Sequence, residues 1–288
     1  MEQLKIRHNF DADGKVILTL EDKIINKFTT NQPFLKAFLG VIRFLYRIVS
    51  LPRFRNTHPW VSEKYTLGVM LPINKELYVD NMPMPYPIIT EFIDKASHIM
   101  IMNVCGCRVA GKCKNHPQDI GCINMGDSVL EISPGIGRLV TKEEAHAHAK
   151  KALESGLIPY IGKGRIDNTL YQVPDRGKLL GLCFCCHCCC LTDAFLHLPL
   201  DHLDRLFPRI EEIKMEITDD CTGCGTCTDY CLYKAITVEN GKAVQNGYCR
   251  QCGRCATYCP SNAIKISMDN YKFKDEIIKR ISARVDLT

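Results

Sequence analysis

The sequence predicts an α+β or α/β fold in which a cysteine-rich α/β domain, at residues 61–205, is followed by a small duplicated domain, at residues 211–268. Two observations predict this arrangement. In the first region a helix pattern runs into a strand pattern twice. In the second region one cysteine spacing occurs twice. A segment at 1–60 precedes the two domains, and a tail at 269–288 with apolar residues at helical spacing follows them.

The composition is typical of a folded protein from a reducing compartment. With 288 residues and 46% hydrophobic residues, the chain is long enough for about two domains. The net charge of +5 is spread along the chain, which argues against a nucleic-acid partner. The start does not follow the pattern of a signal peptide and no uncharged apolar run reaches about 18 residues, so we expect a cytoplasmic protein. Eighteen cysteines then indicate metal ligation instead of disulfides, and an anaerobic host.

Residues 33–50 are the most distinctive part of the N-terminal segment, because they predict an amphipathic helix. Asn31 and Pro33 provide a helix start. Most of the helix is apolar, and its one narrow non-apolar stripe consists of Lys36, Gly40, Arg43 and Arg47. Such a helix would lie on an anionic membrane surface or dock onto a partner subunit. The alternative is a core helix of this same chain whose basic stripe faces solvent.

Two short hairpins are predicted from turn signals. An alternating stretch at residues 16–20 follows Asp13-Gly14, which indicates a strand or a small hairpin. Later in the chain, Asn240-Gly241 joins two short strand patterns, which is the strongest local signal for a tight hairpin.

Two helix–strand units define the cysteine-rich domain. The first is a helix over residues 87–97 that runs into a buried strand over 99–104. In the second, Thr141 and Glu144 form a capping box that opens a helix, and a strand follows at 157–161. Helix then strand, repeated, predicts an α/β domain.

The small domain contains two runs of the pattern C-x2-C-x2-C-x3-C. The matching of Gly225 with Gly253 and of Tyr230 with Tyr258 indicates an internal duplication. A cubane iron-sulfur cluster requires this kind of spacing, since two-residue spacers let three thiolates on one curled loop reach three iron atoms. Zinc and disulfides are the alternatives. The runs consist of Cys221, Cys224, Cys227 and Cys231, and of Cys249, Cys252, Cys255 and Cys259.

These runs, within about residues 211–268, resemble the bacterial 2[4Fe-4S] ferredoxins. That resemblance implies two [4Fe-4S] clusters, with the fourth cysteine of each run bound to the other cluster. One cluster would then have Cys221, Cys224, Cys227 and Cys259, and the other Cys249, Cys252, Cys255 and Cys231. One departure from the family pattern is Leu232, where the family has proline.

Ten further cysteines lie in the cysteine-rich domain, in two groups. Four occupy a glycine-containing loop after the first predicted strand, and six fill eight positions of the segment LCFCCHCCCL. Neither a helix nor a strand brings all six of that segment to one small site. Either two centres lie back to back or one large cluster lies at a bend. The ten are Cys105, Cys107, Cys113, Cys122, Cys183, Cys185, Cys186, Cys188, Cys189 and Cys190.

Metal binding is the best explanation for cysteines at this density, because packing gives no reason to prefer Cys over Ala or Val. Thiolates select iron-sulfur clusters, zinc or copper(I). The adjacent ferredoxin-like unit favours iron-sulfur, with one or two additional clusters of either cubane or non-cubane type. The chain from roughly residue 100 to 268 also resembles poorly characterised 4Fe-4S binding proteins of strict anaerobes, a likeness that implies cluster binding and no particular reaction.

Arg108 and His187 are the polar side chains best placed to contact a substrate or to tune a cluster. An arginine beside a cluster serves more often as a hydrogen-bond donor to sulfide or main chain than as a substrate clamp. The isolated glycine pairs of the chain fall short of a nucleotide-binding motif, so we expect no nucleotide site.

Two classes of function follow. In the first, the ferredoxin-like unit relays low-potential electrons to a further iron-sulfur site, and the protein is a reductase or a subunit of one. In the second, the chain is a multi-cluster electron-transfer module between partner proteins and has no chemistry of its own. A weaker alternative is a cluster carrier or metal reservoir. A redox partner protein is expected in either of the first two cases.

Overall fold

A computed structural model describes residues 5–12, 16–73, 78–79 and 82–288 of the chain. Ten α-helices occur in these residues: α1 (Leu20–Thr30), α2 (Gln32–Val49), α3 (Tyr86–Lys95), α4 (Gly106–Ala110), α5 (Lys142–Glu154), α6 (Arg165–Tyr171), α7 (Leu200–Leu206), α8 (Thr226–Tyr230), α9 (Arg254–Thr257) and α10 (Phe273–Ser282). Two 3₁₀ helices lie at Asp127–Glu131 and Leu191–His197.

The strands of the described residues are mostly short. They are β1 (Asn9–Phe10), β2 (Val16–Ile17), β3 (Leu67–Met70), β4 (Tyr78–Val79), β5 (Met82–Pro83), β6 (Ile99–Met102), β7 (Ile123–Met125), β8 (Gly137–Leu139), β9 (Ile158–Lys163), β10 (Leu180–Cys185), β11 (Ile213–Ile217), β12 (Ile236–Glu239), β13 (Lys242–Gln245) and β14 (Ile264–Met268).

A six-stranded sheet forms the centre of the cysteine-rich region, with strand order β3-β9-β10-β7-β6-β8. All five neighbouring pairs are antiparallel. The α/β prediction is therefore wrong for this sheet, and the architecture is α+β. The alternation of helix and strand predicted that the strands of the two units, β6 and β9, are parallel neighbours. In the sheet they are separated by β10 and β7, which are antiparallel to β9 and β6, respectively.

The local signals for helix ends are confirmed. The Thr141 side chain caps α5 by accepting a hydrogen bond from the Glu144 backbone N–H. The Thr141 backbone N–H in turn donates to the Glu144 carboxylate, which completes the capping box. Asn31 caps α2 through a bond from the Phe34 backbone N–H. Both caps satisfy main-chain donors that the first turn of a helix leaves unpaired.

The prediction of a strand over residues 16–20 is only partly confirmed. Val16 and Ile17 pair with β1 in a small hairpin, but the stretch ends there. Thr19 instead caps α1 in a second capping box with Asp22, and the cap overrides the alternating pattern. The Asp13-Gly14 turn lies outside the described residues.

The ferredoxin-like region consists of two two-stranded sheets, β11 with β14 and β12 with β13, and the helices α8 and α9. Asn240 and Gly241, with φ of 51° and 78°, form the predicted turn between β12 and β13. Each helix starts after a glycine with positive φ, Gly225 at 81° and Gly253 at 75°. A side chain is disfavoured in that conformation, which explains glycine at both positions.

The main core joins the sheet to the ferredoxin-like region and the tail. Ile213 and Ile266 of β11 and β14 pack into the same cluster as β6, β9 and β10. The tail helix α10 contributes Phe273, Ile277 and Ile281 to it, as its apolar spacing predicted.

Helix α2 packs inward with Leu35, Leu39, Ile42 and Tyr46, whereas Phe44 remains 60% exposed. No helix of the described residues has the length and apolarity needed to cross a membrane.

Candidate metal centres

The first ferredoxin-like cavity is lined by the four cysteines that the resemblance assigned to one cluster, Cys221, Cys224, Cys227 and Cys259. Backbone N–H groups already point at two of these sulfurs. Ala243 donates to Cys221 Sγ at 3.3 Å, and Ala263 donates to Cys259 Sγ at 3.3 Å. Such bonds stabilise a thiolate ligand.

The second cavity is lined by the other predicted set, Cys231, Cys249, Cys252 and Cys255, together with Tyr230 and Tyr233. Ala235 N–H lies 3.2 Å from Cys231 Sγ, and Gln251 N–H lies 3.3 Å from Cys249 Sγ. Burial raises the pKa of Cys252 to about 12, so a bound metal is needed to hold this thiol as a thiolate at neutral pH. The donor sets of both cavities fit a cluster.

The ten remaining thiols fall into two groups, of four and of six. The four-cysteine group has its sulfur atoms within 4.8 Å of one another, and it consists of Cys113, Cys186, Cys188 and Cys189. Cys188 Sγ lies 3.5 Å from Cys113 Sγ and 3.6 Å from Cys189 Sγ. A tetrahedral zinc ion with Zn–S bonds of about 2.3 Å places its ligands about 3.8 Å apart. The group thus fits one metal ion as it stands, and its sulfur atoms would have to move apart to hold a cubane.

The six-cysteine group lines a separate cavity beneath α2, and it consists of Cys105, Cys107, Cys122, Cys183, Cys185 and Cys190. Strand parity explains part of the division. Cys183 and Cys185 lie on one face of β10, while Leu182 and Phe184 lie on the other face, in the main core. Cys186 follows the end of the strand and packs into the main core, on the side opposite to Cys183 and Cys185. Of the two arrangements expected from the sequence, the structure therefore has the two separate groups.

Hydrogen bonds between thiols of the six-cysteine group raise the pKa values of some of these thiols and lower those of others. A hydrogen bond from the Cys107 thiol lowers the pKa of Cys105 to about 7. Bonds from Cys107 and Cys185 hold the pKa of Cys190 well below its usual range. In turn, the pKa values of Cys107 and Cys185 are raised well above the usual range, because these thiols donate and are buried. Cys105 and Cys190 thus ionise before Cys107 and Cys185.

Arg108 lies between the two groups and is 1% exposed. Its guanidinium donates to the carbonyl oxygens of Phe184 and Pro117 at 2.7 Å each, and also to that of Ile120. Every nitrogen of the Arg108 side chain therefore donates a hydrogen bond to a main-chain carbonyl oxygen. Arg108 thus positions the segments that carry the cysteines and does not bind a substrate. Burial by itself would lower the pKa of Arg108, but interaction with neighbouring thiols of both groups outweighs burial and raises that pKa.

His187 lies between the four-cysteine group and the second ferredoxin-like cavity. Its ring centroid is 5.0 Å from that of Tyr230 and 6.0 Å from that of His116. Burial, reinforced by the nearby Arg254 cation, lowers the pKa of His187 to about 4. The side chain is therefore neutral at physiological pH.

The structure adds residues that sequence reasoning missed. Tyr230 and Tyr258 stack with ring centroids 4.0 Å apart, and the Arg254 guanidinium lies over both rings. Arg254 also lies 2.9 Å from His116 Nε2. The equivalent places of the two tyrosines in the cysteine runs were a usable signal, whereas the contact with His116 depends on tertiary structure alone.

The comparison with known proteins identifies one region of the chain. A family model described as a 4Fe-4S binding domain matches residues 243–265, which contain the second cysteine run. No curated protein and no solved structure matches the chain. With the four-cysteine group, this match confirms the prediction of an iron-sulfur, metal-binding protein. The number and type of the clusters, and their ligands, stay predictions.

Proposed function

We propose that this chain is an iron-sulfur redox protein of anaerobic metabolism, in which the ferredoxin-like region passes low-potential electrons to iron-sulfur sites of the cysteine-rich region. The protein would act as a reductase or as a subunit of one. The supporting observation is that the second ferredoxin-like cavity adjoins both groups of additional cysteines. A ferredoxin-like region would be an adequate electron carrier by itself, so the ten additional cysteines imply a further role.

Contacts on two sides of that cavity support the proposal. Tyr230 lines the cavity and contacts His187, whose chain neighbours Cys186 and Cys188 belong to the four-cysteine group. On the other side, Tyr233 packs in one cluster with Cys249 of the cavity and Cys185 of the six-cysteine group. Tyr230 and His187 therefore lie between the second cavity and the four-cysteine group, and Tyr233 packs with thiols of the second cavity and of the six-cysteine group.

The chain's own residues have definable roles in such a protein. Bound clusters would supply sites that accept and release single electrons. The backbone N–H groups of Ala235, Ala243 and Ala263 stabilise ligand thiolates by hydrogen bonding. Arg108 holds the loop and strand that carry the cysteines and supplies a positive charge between the two groups.

The test is to replace Cys188 and Cys189 with Ser in anaerobically prepared protein. We expect the double variant to lose metal while the spectroscopic signal of the ferredoxin clusters stays. Cys224→Ser is the matched control, since it alters the first ferredoxin-like set and leaves the four-cysteine group intact. Unchanged metal content in the double variant would show that the group binds none. If the metal that the double variant loses is zinc and not iron, the four-cysteine group cannot carry electrons.

One observation favours a second candidate function, the multi-cluster electron-transfer module. Cys224 and Cys188 are both exposed, one in the first ferredoxin-like set and one in the four-cysteine group. Clusters at both places would exchange electrons with partner proteins. Only ordinary cubanes in the spectra of the whole protein would favour this function over the reductase.

A further inference from the structure

We propose that the six-cysteine cavity, and not the four-cysteine group, is the place where a small uncharged substrate would bind beside an iron-sulfur cluster held by the thiols of the cavity. This inference rests on the proposed function and assigns different roles to the two groups. The four-cysteine group would hold a relay centre. The cavity would hold the centre of reaction.

Size is the first argument. The six-cysteine cavity measures about 260 Å³, whereas the two ferredoxin-like cavities measure about 10 Å³ and 20 Å³. Each of those smaller cavities has four cysteines in its lining, the number that one cubane binds. The larger one therefore has room for a cluster and for a second, small molecule.

The origin of the lining is the second argument. The thiols come from the ends of β6 and β10, from α4 and from the segments next to them. Much of the remaining lining comes from α2, with Leu35, Phe38 and Leu39, and from the 3₁₀ helix that contributes Phe195. A cluster held by the thiols would thus border on space lined by side chains that cannot ligate iron.

Charge decides the class of substrate. Among the described residues, no Lys, Arg or His lines this cavity, and its only carboxylate is that of Asp167. Thiolates and sulfide would repel an anion, and the apolar lining makes burial of any ion costly. A small molecule without charge is the ligand that this environment accepts.

The mouth of the cavity lies beside α2. Phe38 lines the cavity and is still 38% exposed, so its ring borders both the interior and solvent. Leu39, the next residue, is 6% exposed and lines the interior. A larger side chain at position 39 would occupy part of the cavity without replacing any cysteine.

Carbon monoxide and azide are suitable probes, because one is a small uncharged ligand of reduced iron and the other is an anion. We would add each to the dithionite-reduced, anaerobic full-length protein and record infrared and electron paramagnetic resonance spectra. The expected result is a carbon monoxide band in the unaltered protein and in the Cys188→Ser/Cys189→Ser variant. Azide should leave the spectra unchanged.

Two variants locate the site. Cys183→Ser/Cys185→Ser should lose both iron and the carbon monoxide band. Leu39→Trp should keep its iron and lose most of the band, whereas Val41→Trp, on the exposed side of α2, should keep both. The Leu39→Trp variant keeps the test decisive if the cysteine variant fails to fold.

Other outcomes would overturn the inference. They are a band that persists in both Cys183→Ser/Cys185→Ser and Leu39→Trp, the absence of any band in the unaltered protein, or an equal response to azide. Failure of the proposed function would be recognised by the iron content. The unaltered protein would then contain no more iron than two cubanes hold, about eight atoms.

Discussion

At the scale of single residues, Arg108 makes the clearest prediction. Its guanidinium is buried and donates to the carbonyl oxygens of three segments of main chain. Arg108→Ala would leave these carbonyls unpaired and should cost at least about 3 kcal/mol of the free energy of unfolding. In anaerobic urea unfolding this corresponds to a midpoint lower by about 1 M or more.

A matched control for that variant is Arg138→Ala. Arg138 pairs with Glu144 at 2.7 Å, but both side chains are largely exposed, so its removal should cost less than about 1 kcal/mol. Equal midpoints for the two variants would contradict the positioning role of Arg108.

His8 gives a prediction for pH. Burial lowers its pKa below the ordinary value of 6.5, against a smaller opposite effect of Asp22. The unfolded chain therefore binds a proton that the folded chain resists, so this contribution to stability is complete above pH of about 6.5 and is lost as the pH falls below it. His8→Phe should reduce the drop in the urea midpoint between pH 7.5 and pH 5. The same drop in both proteins would refute this assignment.

At the scale of elements, α2 acts as the cover of the six-cysteine cavity. Leu39 lines the cavity and packs with Val109 and Ala110 of α4, and Arg43 donates to the carbonyl oxygens of Cys189 and Cys190 at 3.2 Å and 3.4 Å. Leu39→Ala should lower the free energy of unfolding by about 2–5 kcal/mol. It should also speed the loss of iron in air, measured as iron retained after a brief exposure.

The exposed position Val41 provides the control for this variant, since Val41→Ala removes no buried contact and should change the free energy of unfolding by less than about 0.5 kcal/mol. Iron that is lost equally fast in both variants would show that α2 does not shield the cavity.

The outer side of α2 is the surface that we propose for a partner or a membrane. Phe34, Val41 and Phe44 are exposed there, whereas Arg43 pairs with Asp193 and Arg47 donates to His197. We expect co-sedimentation with anionic liposomes at low salt that decreases in Val41→Ser/Phe44→Ser. If the unaltered protein does not sediment, the membrane contact is excluded and a protein partner remains.

At the scale of the whole molecule, most local signals predicted the structure correctly, whereas the pairing of distant strands was predicted wrongly. The capping box of Thr141 and the turn at Asn240-Gly241 depend on neighbouring residues, so the sequence was sufficient for both. The direction of the strands depends on which distant segments pair, and there the α/β prediction failed.

The candidate sites also differ in how much the sequence could predict. Spacing identified the two runs of ferredoxin-like cysteines, which the resemblance to the bacterial ferredoxins then divided into two sets of four. It left the ten others unassigned, because the loop of Cys113 meets the segment of Cys188 only in the folded chain. The contact of Arg254 with His116, 138 residues apart in sequence, is another example.

The most direct measurement is the iron and acid-labile sulfide content of anaerobically prepared protein, with zinc determined in the same sample. Two ferredoxin-like cubanes account for about eight iron atoms per chain. We predict an iron content clearly above that number, with a matching excess of sulfide, because the four-cysteine group and the six-cysteine group would hold further clusters. Eight or fewer iron atoms, with zinc or no metal in the cysteine-rich region, would contradict this prediction.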